Sequence, residues 1–253
     1  MHMVFKLCGS LQLQCRHSSP LCRSARQLRL VGSQGTIIKA RDVVASSQPE
    51  SSGPDDALLK DLMKNSRLTH LAHQIWPISV RKGDVVCDAT CGNGYDSVYL
   101  AKLVGPDGHL VAIDIQKEAV RATQDNIEAQ VPEHERPKVT YVVGSHENLI
   151  EHVGSNVAKL VCFNLGYLPG GDKSIVTQVD STLAAIEASL EALVFGGIVS
   201  ILCYIGHPGG IAEYEAVQEY VSQLSPKYWV SSEFTLLNSP TAPIMIMIWK
   251  RVQ

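Results

Sequence analysis

The sequence predicts an α/β fold in which a seven-stranded, mostly parallel sheet is covered by helices. From residue 55 onwards, short apolar runs alternate with longer amphipathic stretches, the order expected of repeated strand and helix units. The first run, residues 85–88, ends in an acid and is followed by a glycine-rich turn that opens a helical pattern. A strand, a tight turn and a helix in this order are typical of a nucleotide-binding site.

The most informative stretch is VVCDATCGNG, residues 85–94. Gly92 and Gly94 can adopt positive φ and let the backbone approach a ligand, while the free N–H groups of the following helix, 95–104, face whatever is bound. Asp114 ends the second apolar run, where an acid can accept both hydroxyls of a ribose. From this stretch and the end of the second run we predict the cofactor-binding residues Asp88, Thr90, Cys91, Gly92, Asn93, Gly94, Asp114 and Ile115.

Asp88 helps to distinguish between two ligand classes. A dinucleotide fold usually has three glycines in this turn, and an acid at this position would repel the pyrophosphate at the helix N-terminus. Here the acid is present and the third glycine is missing. The pattern Asp88-x-x-x-Gly92-x-Gly94 resembles motif I of the Rossmann-like class I methyltransferases. Their ligand, S-adenosylmethionine, carries an ammonium and a sulfonium that carboxylates attract, so the resemblance implies this cofactor. A turn without a ligand is the alternative.

Residues 1–54 differ in composition from the rest of the chain. Up to Pro49 they contain seven basic residues, seven serines and a single acid. This composition is typical of an organelle transit peptide. We predict a leader over residues 1–54 and a methyltransferase domain over residues 55–253, with import into the chloroplast or, as the alternative, the mitochondrion. A disordered basic arm that contacts RNA is the other interpretation.

The remaining chain is acidic. Residues 50–253 have 15 basic and 24 acidic side chains, a formal charge of −9. Bulk attraction therefore cannot hold a nucleic acid, and an RNA substrate would need a local basic patch or a site of matching shape. No apolar run is long enough to cross a bilayer, so no membrane partner is predicted. None of the seven cysteines forms a C-x-x-C pair, and we predict buried free thiols and no metal.

The elements around the first two units follow from the same patterns. A helical pattern runs from 57 to 76 and should end before Pro77, and His73 on it is a candidate ligand. A third strand is predicted from Lys138 to Val143. Ser145 and His146 follow this strand, where the adenine would lie in this fold. A helix cap at Ser145 is an alternative that does not exclude contact with the base.

The fourth apolar run, 158–163, leads into a second informative stretch, NLGYLPGGDK, at residues 164–173. This loop is expected at the topological switch point, where open α/β sheets bind their ligands. Asn164-Leu165-Gly166-Tyr167 resembles the Asn/Asp-Pro-Pro-Tyr motif of methyltransferases that act on amino nitrogens. In that motif an amide oxygen and a backbone carbonyl accept the hydrogens of the substrate NH₂. Both prolines are replaced here, and a plain turn is the alternative.

The rest of the chain supplies the elements needed to complete the sheet. We predict a helix over 174–193, a strand over 198–205, a helix over 211–224 and two closing strands over 228–236 and 244–250. The last strand should lie antiparallel, since a strand-to-strand connection without a helix permits this. His207, in the loop after the fifth strand, is expected to face the same cleft as Asn164.

Taken together, these motifs resemble one small family over residues 58–251, the YtqB-like rRNA methylases, whose bacterial members are called MnmM. The resemblance implies methylation of the exocyclic amine of 5-aminomethyl-2-thiouridine at the tRNA wobble position. It implies that Asn164 orients the amine, that Tyr167 borders the uracil and that His207 or His146 takes the proton. Additional cofactor contacts are then expected at Ser145, His146, Asn164 and Leu165, and substrate contacts at Gly166, Tyr167, Leu168, Pro169, Gly170, Lys173, His207 and Asn238.

Several other functions remain open at this point. The loops 206–209 and 238–243 depart from the bacterial pattern, and both are expected to contact substrate. An rRNA or small-molecule N-methyltransferase therefore stays an alternative to a tRNA enzyme that binds the anticodon loop. An NAD-dependent oxidoreductase would share the turn and Asp114, and a non-catalytic RNA-binding protein would share only the fold. A homodimer is a further expectation.

Overall fold

A computed structural model of the chain describes residues 29–31, 37–39, 67–168, 170 and 176–252. The chain divides into two units, residues 1–52 and residues 53–253. In the first unit, strands β1 (Arg29–Val31) and β2 (Ile37–Lys39) pair antiparallel. The other leader residues lie outside the described ranges, so the transit peptide stays a prediction.

The second unit alternates strands and helices as the sequence predicts. Its helices are α1 (Leu68–Ser79), α2 (Tyr95–Val104), α3 (Lys117–Gln130), α4 (Leu149–Val153), α5 (Val179–Ala192) and α6 (Gly210–Ser222). Its strands are β3 (Val85–Asp88), β4 (His109–Asp114), β5 (Lys138–Val143), β6 (Ala158–Leu165), β7 (Leu193–Cys203), β8 (Trp229–Phe234) and β9 (Ile244–Lys250). None of the helices in these described ranges is long and apolar enough to cross a membrane.

The seven strands form one sheet in the order β5-β4-β3-β6-β7-β9-β8. Strands β3 to β7 pair parallel, and only β9 runs antiparallel to its neighbours β7 and β8. This confirms the predicted Rossmann-like class I methyltransferase fold. The chain leaves β3 towards one edge, through β4 and β5, and returns to β6 on the other side of β3. The ends of β3 and β6 therefore flank the topological switch point, where this architecture binds ligands.

The central strands of the sheet are buried on both faces, which explains why they are apolar at almost every position. In β6 the side chains alternate: Val161 and Phe163 belong to a buried cluster with residues of α5 and α6, while Leu160 and Cys162 belong to a second cluster with residues of α1 and α2. All four are at most 1% exposed. The four cysteines of the second unit, Cys87, Cys91, Cys162 and Cys203, are free and buried, as predicted.

The prediction that Pro77 ends the first helix is wrong, because α1 continues to Ser79 with the proline inside it. A proline lacks the N–H that would bond the carbonyl four residues earlier, here that of His73. The Tyr99 hydroxyl donates a hydrogen bond to this carbonyl at 2.6 Å. The neighbouring helix α2 thus satisfies the acceptor that Pro77 leaves open. The predicted first part of this helix, residues 57–66, lies outside the described residues.

Two further elements begin five residues away from their predicted starts, at 174 and 198. Helix α5 begins at Val179, because Val176 forms a bridge with Tyr167 and Gln178 is extended. Strand β7 begins at Leu193 rather than at 198, but its pairing with β6 is irregular across Gly196, where φ is +71°. Regular pairing resumes at Ile198, the residue where the sequence pattern places the start of the strand.

Candidate active site

A cavity of about 490 Å³ opens at the carboxyl ends of the parallel strands. The loops that follow β3, β4, β5, β6 and β7 all contribute to its wall. Thirteen of the predicted site residues line it: Thr90, Cys91, Gly92, Asn93, Asp114, Ile115, Ser145, His146, Asn164, Gly166, Tyr167, Leu168 and His207. The fold therefore brings together residues that are more than 110 positions apart in the sequence.

The glycine turn has the backbone geometry that its sequence suggests. Gly92 has φ of +50° and Gly94 has φ of +79°, both in the left-handed region that disfavours side chains. A Cβ added at Gly94 would lie 2.7 Å from the Cα atom of Thr123 on α3. Gly94 thus permits the close contact of the turn with α3.

Side chains from α3 hold the carbonyls of this turn. The Thr123 hydroxyl donates to the carbonyl of Gly92 at 3.1 Å, and the Asn126 amide donates to the carbonyl of Asn93 at 2.7 Å. Because these carbonyls are bound on the α3 side, the turn is fixed in one conformation beside the cavity. The residues of this turn form one wall of a cradle for a ligand.

Asp114 lies opposite the glycine turn at the end of β4. Its Oδ2 accepts the Gly92 N–H at 3.0 Å and its Oδ1 accepts the Gln116 N–H at 2.9 Å. Partial burial raises the pKa of this carboxyl, and the backbone hydrogen bonds oppose the shift. Each oxygen of a carboxylate has a second lone pair. Asp114 can therefore hold the turn and still accept hydroxyl groups from a ligand in the cavity.

Asp88 lies beneath the cavity rather than in its wall. It is fully buried, and its Oδ2 accepts the Ser97 hydroxyl at 2.6 Å. Burial, followed by the charge of Asp96, raises the pKa of Asp88 to about 7. Its geometry therefore suits an internal brace between β3 and α2, whereas the sequence pattern suggests a direct cofactor contact.

Asn164 occupies the switch point at the end of β6. Its backbone N–H donates to the Thr90 hydroxyl at 2.7 Å, which ties β6 to the turn after β3. Its side-chain Nδ2 donates to Oδ2 of Asp96 at 2.8 Å. An ionised carboxylate only accepts hydrogen bonds, so the amide must point its nitrogen at Asp96. The amide oxygen is then the acceptor that remains for a ligand.

The two histidines considered as proton acceptors have different surroundings. His146 is 8% exposed, its ring lies edge-on to Phe163, and burial lowers its pKa, which favours the neutral ring. Ser145 caps the short 3₁₀ turn His146–Asn148, as predicted, and the same residue also lines the cavity.

The ring of His207 has a defined tautomer in its neutral form. Its Nδ1 lies 3.0 Å from the carbonyl oxygen of Pro208, which can only accept, so Nδ1 carries the hydrogen. Nε2 is then a lone-pair acceptor, and it is buried without a hydrogen-bond partner among the described residues. A Cβ at Gly210 would approach Nε2 to 2.9 Å, so this glycine makes room for the ring. The ring also lies edge-on to Tyr167 at 5.8 Å.

Three tyrosines lie around the opening of the cavity. Tyr95 is 72% exposed, and Tyr167 and Tyr204 are both 38% exposed. Exposed aromatic rings beside a polar cavity can stack on an unpaired base. No lysine or arginine of the described residues lines the cavity, which instead carries the acids Asp96 and Asp114. The site is thus better suited to a cationic group than to a phosphate.

Several predicted contacts lie elsewhere. The described residues Asp88, Gly94, Leu165, Gly170 and Asn238 are not part of the cavity wall, and Asn238 is an exposed loop residue. The predicted substrate contacts Pro169 and Lys173 lie outside the described residues. The roles of the site residues therefore remain proposals.

Some residues of the cavity wall were not predicted from the sequence, notably Thr69, Tyr95, Asp96, Gln178, Tyr204 and Thr241. Asp96 and Tyr95 begin the helix that follows the glycine turn, a position from which side chains can reach the ligand. The sequence indicates a site role for these two residues only by placing them directly after Gly94. Thr69 and Thr241 come from distant segments, and no local pattern marks them.

Comparison with known proteins agrees with this geometry. The family model described as "Putative rRNA methylase" matches residues 110–250, more than half of the chain. The chain belongs to this family. The model of protein-L-isoaspartate(D-aspartate) O-methyltransferase also matches, over residues 62–150, which contain the glycine turn and strands β3 to β5.

Three relatives illustrate the similarity. The chloroplastic tRNA (mnm(5)s(2)U34)-methyltransferase of Arabidopsis thaliana is 40% identical over 205 residues, 79% of this chain and 75% of the relative. A "putative rRNA-methylase" from Clostridium thermocellum has a TM-score of 0.67 at 34% identity, covering 73% of this chain and 97% of that one. A "putative methyltransferase" from Streptococcus mutans, solved in complex with SAH, has a TM-score of 0.64 at 30% identity, covering 73% and 98%.

Proposed function

We propose that the protein is an S-adenosylmethionine-dependent N-methyltransferase that acts on the exocyclic amine of 5-aminomethyl-2-thiouridine at the tRNA wobble position. The observation that carries this proposal is the Asn164 amide, held at the switch point with its oxygen available to an amine. The Arabidopsis relative, named for methylation at U34, and the Streptococcus relative, solved with SAH, support the substrate and the cofactor.

The cavity fits the proposed cofactor. Gly92 has no Cβ, and one built there would lie 3.3 Å from the Leu168 side chain, so the glycine keeps this part of the cavity open. Asp114 would accept the ribose hydroxyls, and its charge would favour the ammonium and sulfonium groups. When bound, S-adenosylmethionine supplies an electrophilic methyl group on its sulfonium. Asp88 lies beneath the cavity and would hold α2 in place through its hydrogen bond with Ser97, rather than contact the cofactor.

The substrate amine must be neutral to react, because an alkylammonium has no lone pair. The oxygen of Asn164 would accept one of its hydrogens and so aim the lone pair at the methyl group. Of the two histidines, His207 fits the role of proton acceptor better, since its Nε2 has no partner among the described residues and His146 is buried and hydrogen-bonded. Nε2 also lies beside the loop that carries Asn164, since a Cβ built on Gly166 would come within 3.4 Å of it.

An anticodon loop is the RNA feature that best fits this surface. An acidic domain without lysine or arginine in the described cavity wall has little attraction for duplex phosphates. A wobble base is unpaired and can be turned out of its loop, and Tyr95, Tyr167 and Tyr204 are placed to stack on it or border it. Recognition would then depend on shape and stacking.

We further propose that residues 1–54 direct the protein to the chloroplast, on the basis of their basic, serine-rich composition and the chloroplastic relative. Mitochondrial import is the alternative. Formation of a homodimer also stays a prediction, which sedimentation of the purified protein would test.

The proposed activity can be tested with purified protein, S-adenosylmethionine and tRNA that carries 5-aminomethyl-2-thiouridine. We expect the mass of this nucleoside to increase by one methyl group, with no change in tRNA that carries unmodified uridine at the same position. Mass spectrometry of the digested tRNA measures both. Methylation of rRNA instead, with the tRNA nucleoside unchanged, would contradict the proposed substrate.

A further inference from the structure

We infer that Asp96, held by His73, is a positioning residue that fixes the Asn164 amide in the orientation needed for methyl transfer, an inference that rests on the proposed function. Asp96 lies in the first turn of α2 and in the cavity wall. Its two oxygens have different partners: Oδ2 accepts Nδ2 of Asn164 at 2.8 Å, and Oδ1 lies 2.6 Å from Nε2 of His73. The three side chains form a continuous chain from α1 to the end of β6.

The orientation of the amide matters because its two ends are nearly equal in size and opposite in hydrogen bonding. With its oxygen towards the substrate, Asn164 accepts a hydrogen of the amine and leaves the lone pair free. With its nitrogen towards the substrate, the same side chain would donate to the lone pair and block its attack. Asp96 excludes this second orientation, because its carboxylate would then face an amide oxygen.

His73 is itself held in place from two sides. Its ring stacks on Tyr99, with 4.1 Å between the centroids and 12° between the planes, and it contacts Trp76 at 4.8 Å. The Tyr99 hydroxyl also donates to the His73 carbonyl. Tyr99 therefore holds both the ring and the main chain of His73, with Nε2 placed to donate to Asp96.

Most of the surface of both Asp96 and His73 is shielded from solvent. The side chain of Asp96 is 11% exposed and that of His73 is 21% exposed. Asp88 lies close enough for the charge of Asp96 to act on it. A hydrogen-bond donor on each oxygen of Asp96 offsets this repulsion between two acids and keeps the carboxylate directed at Asn164.

The first test compares Asp96→Asn with Asp107→Asn, which makes the same chemical change at an exposed residue outside the cavity. In Asp96→Asn we expect kcat to fall about 100-fold, while KM for tRNA and the Kd for S-adenosylmethionine change less than about threefold. Asp107→Asn should match wild type. A loss of cofactor affinity as large as the loss of kcat would overturn the inference and make Asp96 a cofactor ligand.

The hydrogen bond between His73 and Asp96 is tested by two variants of residue 73 that differ in one hydrogen-bond donor. His73→Gln keeps an N–H that can reach Asp96, whereas His73→Phe keeps the stacking surface and removes the donor. We expect the Gln variant to retain kcat within about tenfold of wild type and the Phe variant to approach Asp96→Asn. Equal losses in the two variants would contradict a role for the hydrogen bond.

A measurement without turnover separates this inference from the proposed function. The side-chain amide of Asn164, identified in NMR spectra by its absence in Asn164→Asp, should exchange slowly in wild type and rapidly in Asp96→Asn. Equal protection in both proteins would overturn the positioning role. If wild type shows the protected amide but methylates no tRNA, the positioning role is supported and the proposed substrate is contradicted.

Discussion

Replacing Asn164 by Ala should lower kcat by about 100- to 1,000-fold while the affinity for S-adenosylmethionine stays within about threefold of wild type. In the proposed function the amide oxygen orients the amine, and this interaction would act on the reacting atoms rather than on the bound cofactor. The backbone N–H of residue 164 would still bond the Thr90 hydroxyl, so the loop should keep its conformation. Single-turnover methylation and calorimetry measure the two quantities separately.

Gln124→Ala is a suitable control for this variant, since it removes an exposed amide on α3 that is not part of the cavity wall. We expect it to behave as wild type in both assays. If Asn164→Ala kept most of its turnover, Asn164 would have no role in aligning the amine and another acceptor would be required.

Replacing Asp114 by Ala should weaken S-adenosylmethionine binding by roughly 10- to 100-fold, or about 1.5–3 kcal/mol. The ribose hydroxyls would lose a charged acceptor, and the Gly92 N–H would lose the partner that it has at 3.0 Å. Titration calorimetry measures the Kd. The melting temperature should be measured alongside it, because a loosened turn would affect stability as well as affinity.

Asp114→Asn separates the effect of losing the charged acceptor from the effect of losing the hydrogen bond that holds the glycine turn. Its remaining oxygen can still accept the Gly92 N–H, so the turn should stay in place while the charge is removed. We expect an affinity between those of wild type and Asp114→Ala. Unchanged binding in Asp114→Ala would remove Asp114 from the cofactor site.

Much of the fold could be predicted because its patterns are local. The bounds of α2, β3 and β5 agree with the predicted ones, since each is a short apolar or amphipathic run with clear turn residues on both sides. The glycine turn is predictable from its local strand, turn and helix pattern. The place of Asn164 is predictable from the strand order of this fold, in which the ends of β3 and β6 lie side by side.

The parts that could not be predicted depend on contacts between distant segments. Helix α1 continues through Pro77, and the carbonyl that the proline leaves open is bound by Tyr99, 26 residues after His73. In the same way, Asp96 has no recognisable motif of its own. Its place beside Asn164 and His73 results from the packing of α2 against α1 and β6, which the sequence pattern does not describe.

The central claim is that the protein methylates a wobble amine of organellar tRNA, and nucleoside mass spectrometry tests it most directly. In chloroplast tRNA from plants in which the gene is disrupted, we predict that 5-aminomethyl-2-thiouridine accumulates. The full chain should restore the methylated nucleoside, and residues 55–253 alone should not, because they lack the proposed leader. An unchanged tRNA profile together with a methyl group missing from rRNA would contradict the account.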